Sequence, residues 1–147
     1  MLRRITLFFL LANGLLAAIS QPAGERLASI DPANYPGANL VVVFDSTTAD
    51  VQESGLTYVN MHRLYKVMTP AGALQMSVVK LDYDPLSAAV EIKKVVVYRG
   101  RKDYRTVGNV EEISNPVLDY PAPARAIYWG AREKMIEVGR LEPGDAV

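Results

Sequence analysis

The chain has 147 residues, half of them hydrophobic, with 16 basic and 16 acidic side chains, one histidine and no cysteine. That length suffices for one domain with a real core. The missing cysteines exclude disulfides, thiolate metal sites and a cysteine nucleophile from these residues.

Met1-Leu2-Arg3-Arg4 is a short basic start, and Ile5 to Ile19 is apolar except for Thr6, Asn13 and Gly14. Ala18-Ile19-Ser20 places small residues where a signal peptidase cuts, before Gln21. This is the layout of a cleavable signal peptide over residues 1–20. The run falls short of the ~20 apolar residues of a spanning helix. The expected mature protein is exported to the periplasm or beyond, with no stable membrane insertion after cleavage. Losing Arg3 and Arg4 turns a neutral chain slightly acidic. Lys93-Lys94 and Arg99-Gly100-Arg101-Lys102 are the densest basic spots. They read as a strand's solvated side and a hairpin tip, so no nucleic-acid partner is expected.

Residues 21–34 read as a lead-in segment, and residues 35–147 as one domain. Asn39 to Phe44 reads as a buried strand. Glu53-Ser54-Gly55 marks a turn. Leu56 to Thr69 is a long strand, with Val59, Met61, Arg63, Tyr65 and Val67 on its expected core face. Thr69-Pro70-Ala71-Gly72 reads as a turn. Leu74, Met76 and Val78 then share a strand face before the apolar set switches to Val79, Leu81 and Tyr83, as at a bulge. Val90 to Arg99 is the next strand, with a hairpin at Gly100-Arg101 into Tyr104 to Val107. Asn115 to Ala124 reads as a crossing loop with three prolines. Ala126 to Trp129 and Lys134 to Val138 close the series, with Ile136 and Val138 on one face. Leu141-Glu142-Pro143-Gly144-Asp145-Ala146-Val147 reads as a turn and the start of a further strand.

Short strands without a convincing amphipathic helix predict an all-β fold, an antiparallel β-sandwich or open barrel lacking its last strand within these residues. The alternative is an α+β domain with a short helix near Asp84 to Val90.

Candidate chemistry is sparse. His62 stands mid-strand without a partner at metal spacing and reads as structural. Asp82 and Asp84 lack the glycine and distal carboxylate of a calcium loop and read as an acidic turn before Pro85. Glu111-Glu112 reads as a charge pair in a loop. No catalytic, metal or cofactor residues are assigned. Tyr120, Tyr128 and Trp129 are the candidates for a ligand or interface surface, since flat aromatics suit a glycan or peptide. Core packing is the competing role for them.

Several segments, in order, resemble domain of unknown function 3857, found at the N-terminus of bacterial exported transglutaminase-like proteins. They are Tyr35-Pro36-Gly37-Ala38 leading into Leu40 to Phe44, Arg63 to Gly72, Tyr83-Asp84, Val95 to Tyr98, and above all Leu141-Glu142-Pro143-Gly144-Asp145. Tyr98-Arg99-Gly100-Arg101 departs from the family, which often has Asp-Gly there. The resemblance implies a non-catalytic β-sandwich module that positions or assists a downstream transglutaminase- or cysteine-protease-like domain of the same polypeptide. It implies no cofactor, and it transfers no functional residue. The alternative is a stand-alone cell-envelope protein binding a glycan or peptide.

Overall fold

The computed structural model describes residues 23–100, 110–122 and 130–147. The signal-peptide expectation, Tyr104 to Val107, and Ala126 to Trp129 lie outside these residues. The described chain is dominated by antiparallel strands, as the apolar alternation predicts.

The lead-in segment carries a short helix, α1 (Ala23–Ala28), and one 3-10 turn, Pro32–Asn34, capped by the Asp31 carboxylate accepting the Ala33 N–H at 3.0 Å. Strands β1 (Leu40–Val51) and β2 (Thr57–Val67) form a long ribbon closed by the expected turn, where Gly55 has φ +86°. Helix α2 (Pro70–Met76) leads into β3 (Val78–Tyr83). Then come β4 (Val96–Tyr98), β5 (Val110–Glu112), β6 (Leu118–Pro121) and β7 (Arg132–Glu137).

Two sheets result. One has the order β3-β7-β6. In the other, the β1–β2 ribbon and the β4–β5 pair are stitched together by the C-terminal segment. Ala146 bridges Lys66 of β2 on one side and Tyr98 of β4 on the other. Tyr65 and Val147 exchange two backbone hydrogen bonds of 2.9 Å, and so do Tyr98 and Ala146, at 2.8 and 2.9 Å. The turn at Pro143-Gly144 therefore does not fold the chain back beside β7. It delivers residues 145–147 to the middle of the other sheet.

Leu40, Val67, Val97 and Val147 from this sheet, with Val95 just before β4, meet Val79 and Ile136 of the three-stranded sheet and the outgoing Val138 and Leu141, with Ala73 and Met76 of α2 closing the side. Val67 and Val97 are fully buried, and each such side chain contributes about 1.5–3 kcal/mol of burial. On the opposite face, α1 lays Leu27 over Leu64 and Ala146, with Val43, Phe44 and Tyr98 around them.

Several local expectations need correction. Thr69-Pro70-Ala71-Gly72 starts helix α2 rather than a tight turn, and Leu74 and Met76 are helical. Thr69 is the N-cap, accepting the Gly72 N–H at 3.1 Å, and Pro70 occupies a first-turn position where no donor is lost. The face switch before Val79 is thus a helix-to-strand junction, not a bulge. Among the described residues the strand register shifts in β1, between Val42 and Phe44. No helix forms near Asp84 to Val90; the Asp84 carbonyl accepts from Ser87 and Ala88 and the turn is not propagated. Val90 to Arg99 is strand only at Val96–Tyr98. Glu111 and Glu112 belong to β5, and the proline-rich loop contains β6, an edge strand that tolerates Pro121 at its end. The core faces of the ribbon are also shorter than expected. Val67 is buried, but Val42, Val59 and Met61 are each more than half exposed, while Leu64 and Lys66 on the other face are buried.

Lys66 shows what ties α1 down. Its Nζ donates to the Leu27 and Ile30 carbonyls, both at 3.0 Å, at the helix's C-terminal end. Burial pushes the ammonium below its ordinary value of 10.5, and Asp31 partly opposes this. Between the folded and unfolded values the unfolded chain binds more protons, so Lys66 makes stability rise with pH as 10.5 is approached from below. Lys66→Met is expected to cost about 1–3 kcal/mol at pH 7 through the lost donors. It should also flatten that rise, as read from urea midpoints between pH 7 and 10.5.

Candidate functional site

The described surface offers four places where chemistry or recognition could reside. The first is the Leu141–Asp145 turn. Asp145 is 6% exposed, and its carboxylate is a hub. Oδ1 accepts the Gly100 N–H at 2.9 Å; Oδ2 accepts the Glu142 N–H at 3.0 Å and Arg99 Nη1 at 3.1 Å. Arg99 also donates to the Arg140 carbonyl at 2.9 Å and pairs with Glu111 at 2.6 Å. Glu111, and then Asp145, raise the guanidinium above its usual value against partial burial. Gly144 takes φ +98°, a region a side chain disfavours. A Cβ on Gly100 would overlap the Gly144 carbonyl. Every acceptor of this hub faces a donor, so the group holds two backbone segments together and presents no reactive atom.

The second is the outer end of the three-stranded sheet. Tyr83 donates its hydroxyl to Asp119 Oδ2 at 2.8 Å, and Arg132 Nε donates to Asp119 Oδ1 at 2.7 Å. Tyr83 raises no base here: the hydrogen bond to Asp119 lifts the phenol above its ordinary value, and the same bond, with Arg132, lowers Asp119. A phenol held protonated on an ionised carboxylate ties β3, β6 and β7 at one end.

The third is the aromatic surface. Tyr120 lies on edge strand β6 opposite Glu133 and is 38% exposed. Tyr128 and Trp129 lie outside the described residues, so the structure places only one of the three. His62 stands on the ribbon with its ring edge-to-face against Phe44, centroids 4.7 Å apart. Asp84 accepts the Leu86 N–H at 2.9 Å in an Asx turn, the local role its position before Pro85 suggests. Among the described residues no group of three or more His, Asp or Glu is gathered for a metal ion. Among them, too, no helix is long and apolar enough to cross a membrane.

The fourth is the ribbon itself. Val42, Val51, Val59 and Met61 lie on one face and Leu56 at the tip, all more than half exposed, with the Arg63–Asp45 ion pair of 2.9 Å at the base. Together they make an exposed apolar face. Val59 and Met61, expected on the core face of this strand, share a face with Val67 but lie beyond the core and are exposed. Arg99, Gly100 and Asp145 were missed as a unit; the signal was the Gly-Asp pair after a Pro-containing turn, which needs a buried partner for its carboxylate.

Two packed antiparallel sheets, pinned by a carboxylate-anchored turn and bearing an exposed apolar ribbon, define a β-rich domain. The chain belongs to the family DUF3857, described as a domain of unknown function with a solved structure, whose model matches residues 53–147. The match begins in the β1–β2 turn, so α1 and β1 precede it. No curated protein and no solved structure matches the chain.

Proposed function

We propose that this chain is a non-catalytic N-terminal module of an exported bacterial protein, positioning or assisting a downstream transglutaminase- or cysteine-protease-like domain. The observation that carries the reading is the family match over 53–147, ending in a segment built into the centre of a sheet. The exposed apolar face of the ribbon supports it as a surface for a partner domain. The hydrogen-bonded clusters around Asp145 and Asp119 serve cohesion in this reading. The nucleophilic cysteine of such a partner would come from outside these residues, which have none.

The reading frame past Val147 is the test. A cysteine followed by a histidine and an aspartate in transglutaminase-like context is the expected result. A stop codon directly after Val147 overturns the reading. For export, the N-terminus of the protein recovered from the producing cell is expected at Gln21; an intact Met1 would defeat that part.

A further inference from the structure

Lys66 is a buried cation, 5% exposed, set beside an apolar seat. Leu64 and Ala146 form the floor of that seat, with Val43, Phe44 and Tyr98 partly buried around it. Leu27 of α1 fills it and is fully buried. The Leu27 carbonyl accepts from Lys66 Nζ at 3.0 Å, and the Ile30 carbonyl does so at the same distance. One residue thus gives the seat an aliphatic side chain and, through its own carbonyl, an acceptor for the cation.

Helix α1 occupies the seat; the wall comes from β1, β2, β4 and residue 146. The helix has six residues, too few to be stable by itself, so it persists through what it places against the sheet. Leu27 and the two Lys66 bonds supply that, with Arg26 over the Phe44 ring at 5.3 Å and Ala23 against the same cluster. A segment held in this way opens at a lower free energy than the paired strands beneath it.

The chemistry of the seat suits one kind of ligand better than it suits α1. A leucine at the C-terminus of a peptide has the same side chain, Cα and carbonyl oxygen as Leu27, in the same covalent order. It also carries a full negative charge. Leu27 and Ile30 offer Lys66 neutral carbonyls; a carboxylate adds charge–charge attraction, which a site closed to water screens little. The ammonium is already out of water, so its share of the desolvation cost of such a pair is met in the folded chain. We infer that the seat of Leu27 is a binding site for the C-terminus of a peptide ending in leucine or a similar aliphatic residue, with α1 as its built-in competitor. Residues before the terminal leucine gain contacts where Ala23 and Arg26 lie. Binding releases Lys66 from both carbonyls of the N-terminal segment and leaves the strand pairing intact.

The peptide Ala-Gly-Glu-Arg-Leu, the sequence of residues 23–27, tests this as its N-acetylated free acid and as the C-terminal amide. On the full chain carrying Leu27→Ala, which empties the seat, the acid is expected to bind at least about tenfold more tightly than the amide. It should also bind this variant about tenfold more tightly than the unaltered chain, where α1 competes. Adding Lys66→Met should erase the difference between acid and amide. On the unaltered chain, the acid in millimolar excess should speed exchange of the Ser29 and Ile30 amides, which donate to Glu25 and Leu27, and leave those of Tyr65 and Val67 protected. That readout holds even where Leu27→Ala does not fold. Equal binding of acid and amide rejects the carboxylate as the group recognised. Isocaproate binding as tightly as the peptide acid assigns the seat to a free branched acid and overturns the peptide. Absence of binding to folded Leu27→Ala, or Ser29 and Ile30 amides unmoved by the acid, shows that α1 is a permanent part of the fold and sinks the inference.

Discussion

Asp145→Ala is expected to cost about 3–5 kcal/mol, the usual loss when one partner of a buried ion pair is deleted. In a domain of this size that corresponds to a drop of roughly 10–25 °C in melting temperature. The carboxylate is 6% exposed and accepts from Gly100, Glu142 and Arg99. Its removal leaves two backbone N–H groups without acceptors and takes one carboxylate from Arg99, which keeps Glu111. It also loosens the turn that feeds residues 145–147 between β2 and β4, so lost polar contacts and lost strand pairing act in the same direction. Asp145→Asn should recover little. Its amide can still accept from Gly100, but the NH2 then meets the Glu142 N–H and Arg99, donor against donor. Thermal denaturation of Asp145→Ala, Arg99→Leu and the double variant checks this. A coupling of at least about 1 kcal/mol between the two sites is expected. A drop of less than about 5 °C for Asp145→Ala would mean that the turn is held by something else.

The all-β character was legible because alternating β-branched residues survive as strands wherever tertiary pairing is available. Where pairing decides, the sequence was ambiguous. Val90 to Val95 has the composition of a strand and lies outside the sheets, whereas Glu111 and Glu112 look like loop residues and form β5. Their charges are met across the sheet, Glu111 by Arg99 at 2.6 Å and Glu112 by Lys94 at 2.8 Å. Propensity cannot see a partner distant in sequence. Helix α2 had a readable start in Thr69-Pro70, but the same dipeptide also opens turns, and only the Thr69 hydroxyl on the Gly72 N–H separates the two.

The candidate site was legible in part for a related reason. Tyr120 lies on edge strand β6 and is 38% exposed, which fits either a surface or a sheet-packing role. Lys66 alternates with the expected core face of its strand, and α1 covers the face it lies on. No sequence pattern announces that a six-residue helix and the residues just after it will place carbonyls over a lysine 36 to 39 positions away. The Leu-Glu-Pro-Gly-Asp segment was recognised as a motif, but its cause is spatial. Asp145 and Gly144 answer to Arg99 and Gly100, some 45 residues earlier. Arg99-Gly100 places a cation and a glycine beside that carboxylate.

Gly100 carries the second large expectation. Gly100→Ala should destabilise the domain by about 2–4 kcal/mol, in the range of overpacking a site that backbone encloses. An added Cβ at residue 100 would overlap the carbonyl of Gly144 and crowd the Asp145 nitrogen. Both neighbours are main-chain atoms, so no side chain can rotate away; residues 144–145 must retreat as a segment. Retreat strains the bond from the Gly100 N–H to Asp145 and pulls Ala146 from its place between Lys66 and Tyr98. Gly55 is the internal comparison. Nothing lies near a Cβ built there, but its φ of +86° makes alanine strained for conformational reasons alone. Gly55→Ala should therefore cost only about 1–2 kcal/mol, and it should leave the amides of Tyr65, Val67 and Tyr98 protected. Gly100→Ala should speed exchange at Tyr65, Val67 and Tyr98 together, because one displaced strand serves all three. Equal losses for the two variants, with exchange at those three amides unchanged, would show that close packing at Gly100 does not hold residues 145–147 in the sheet.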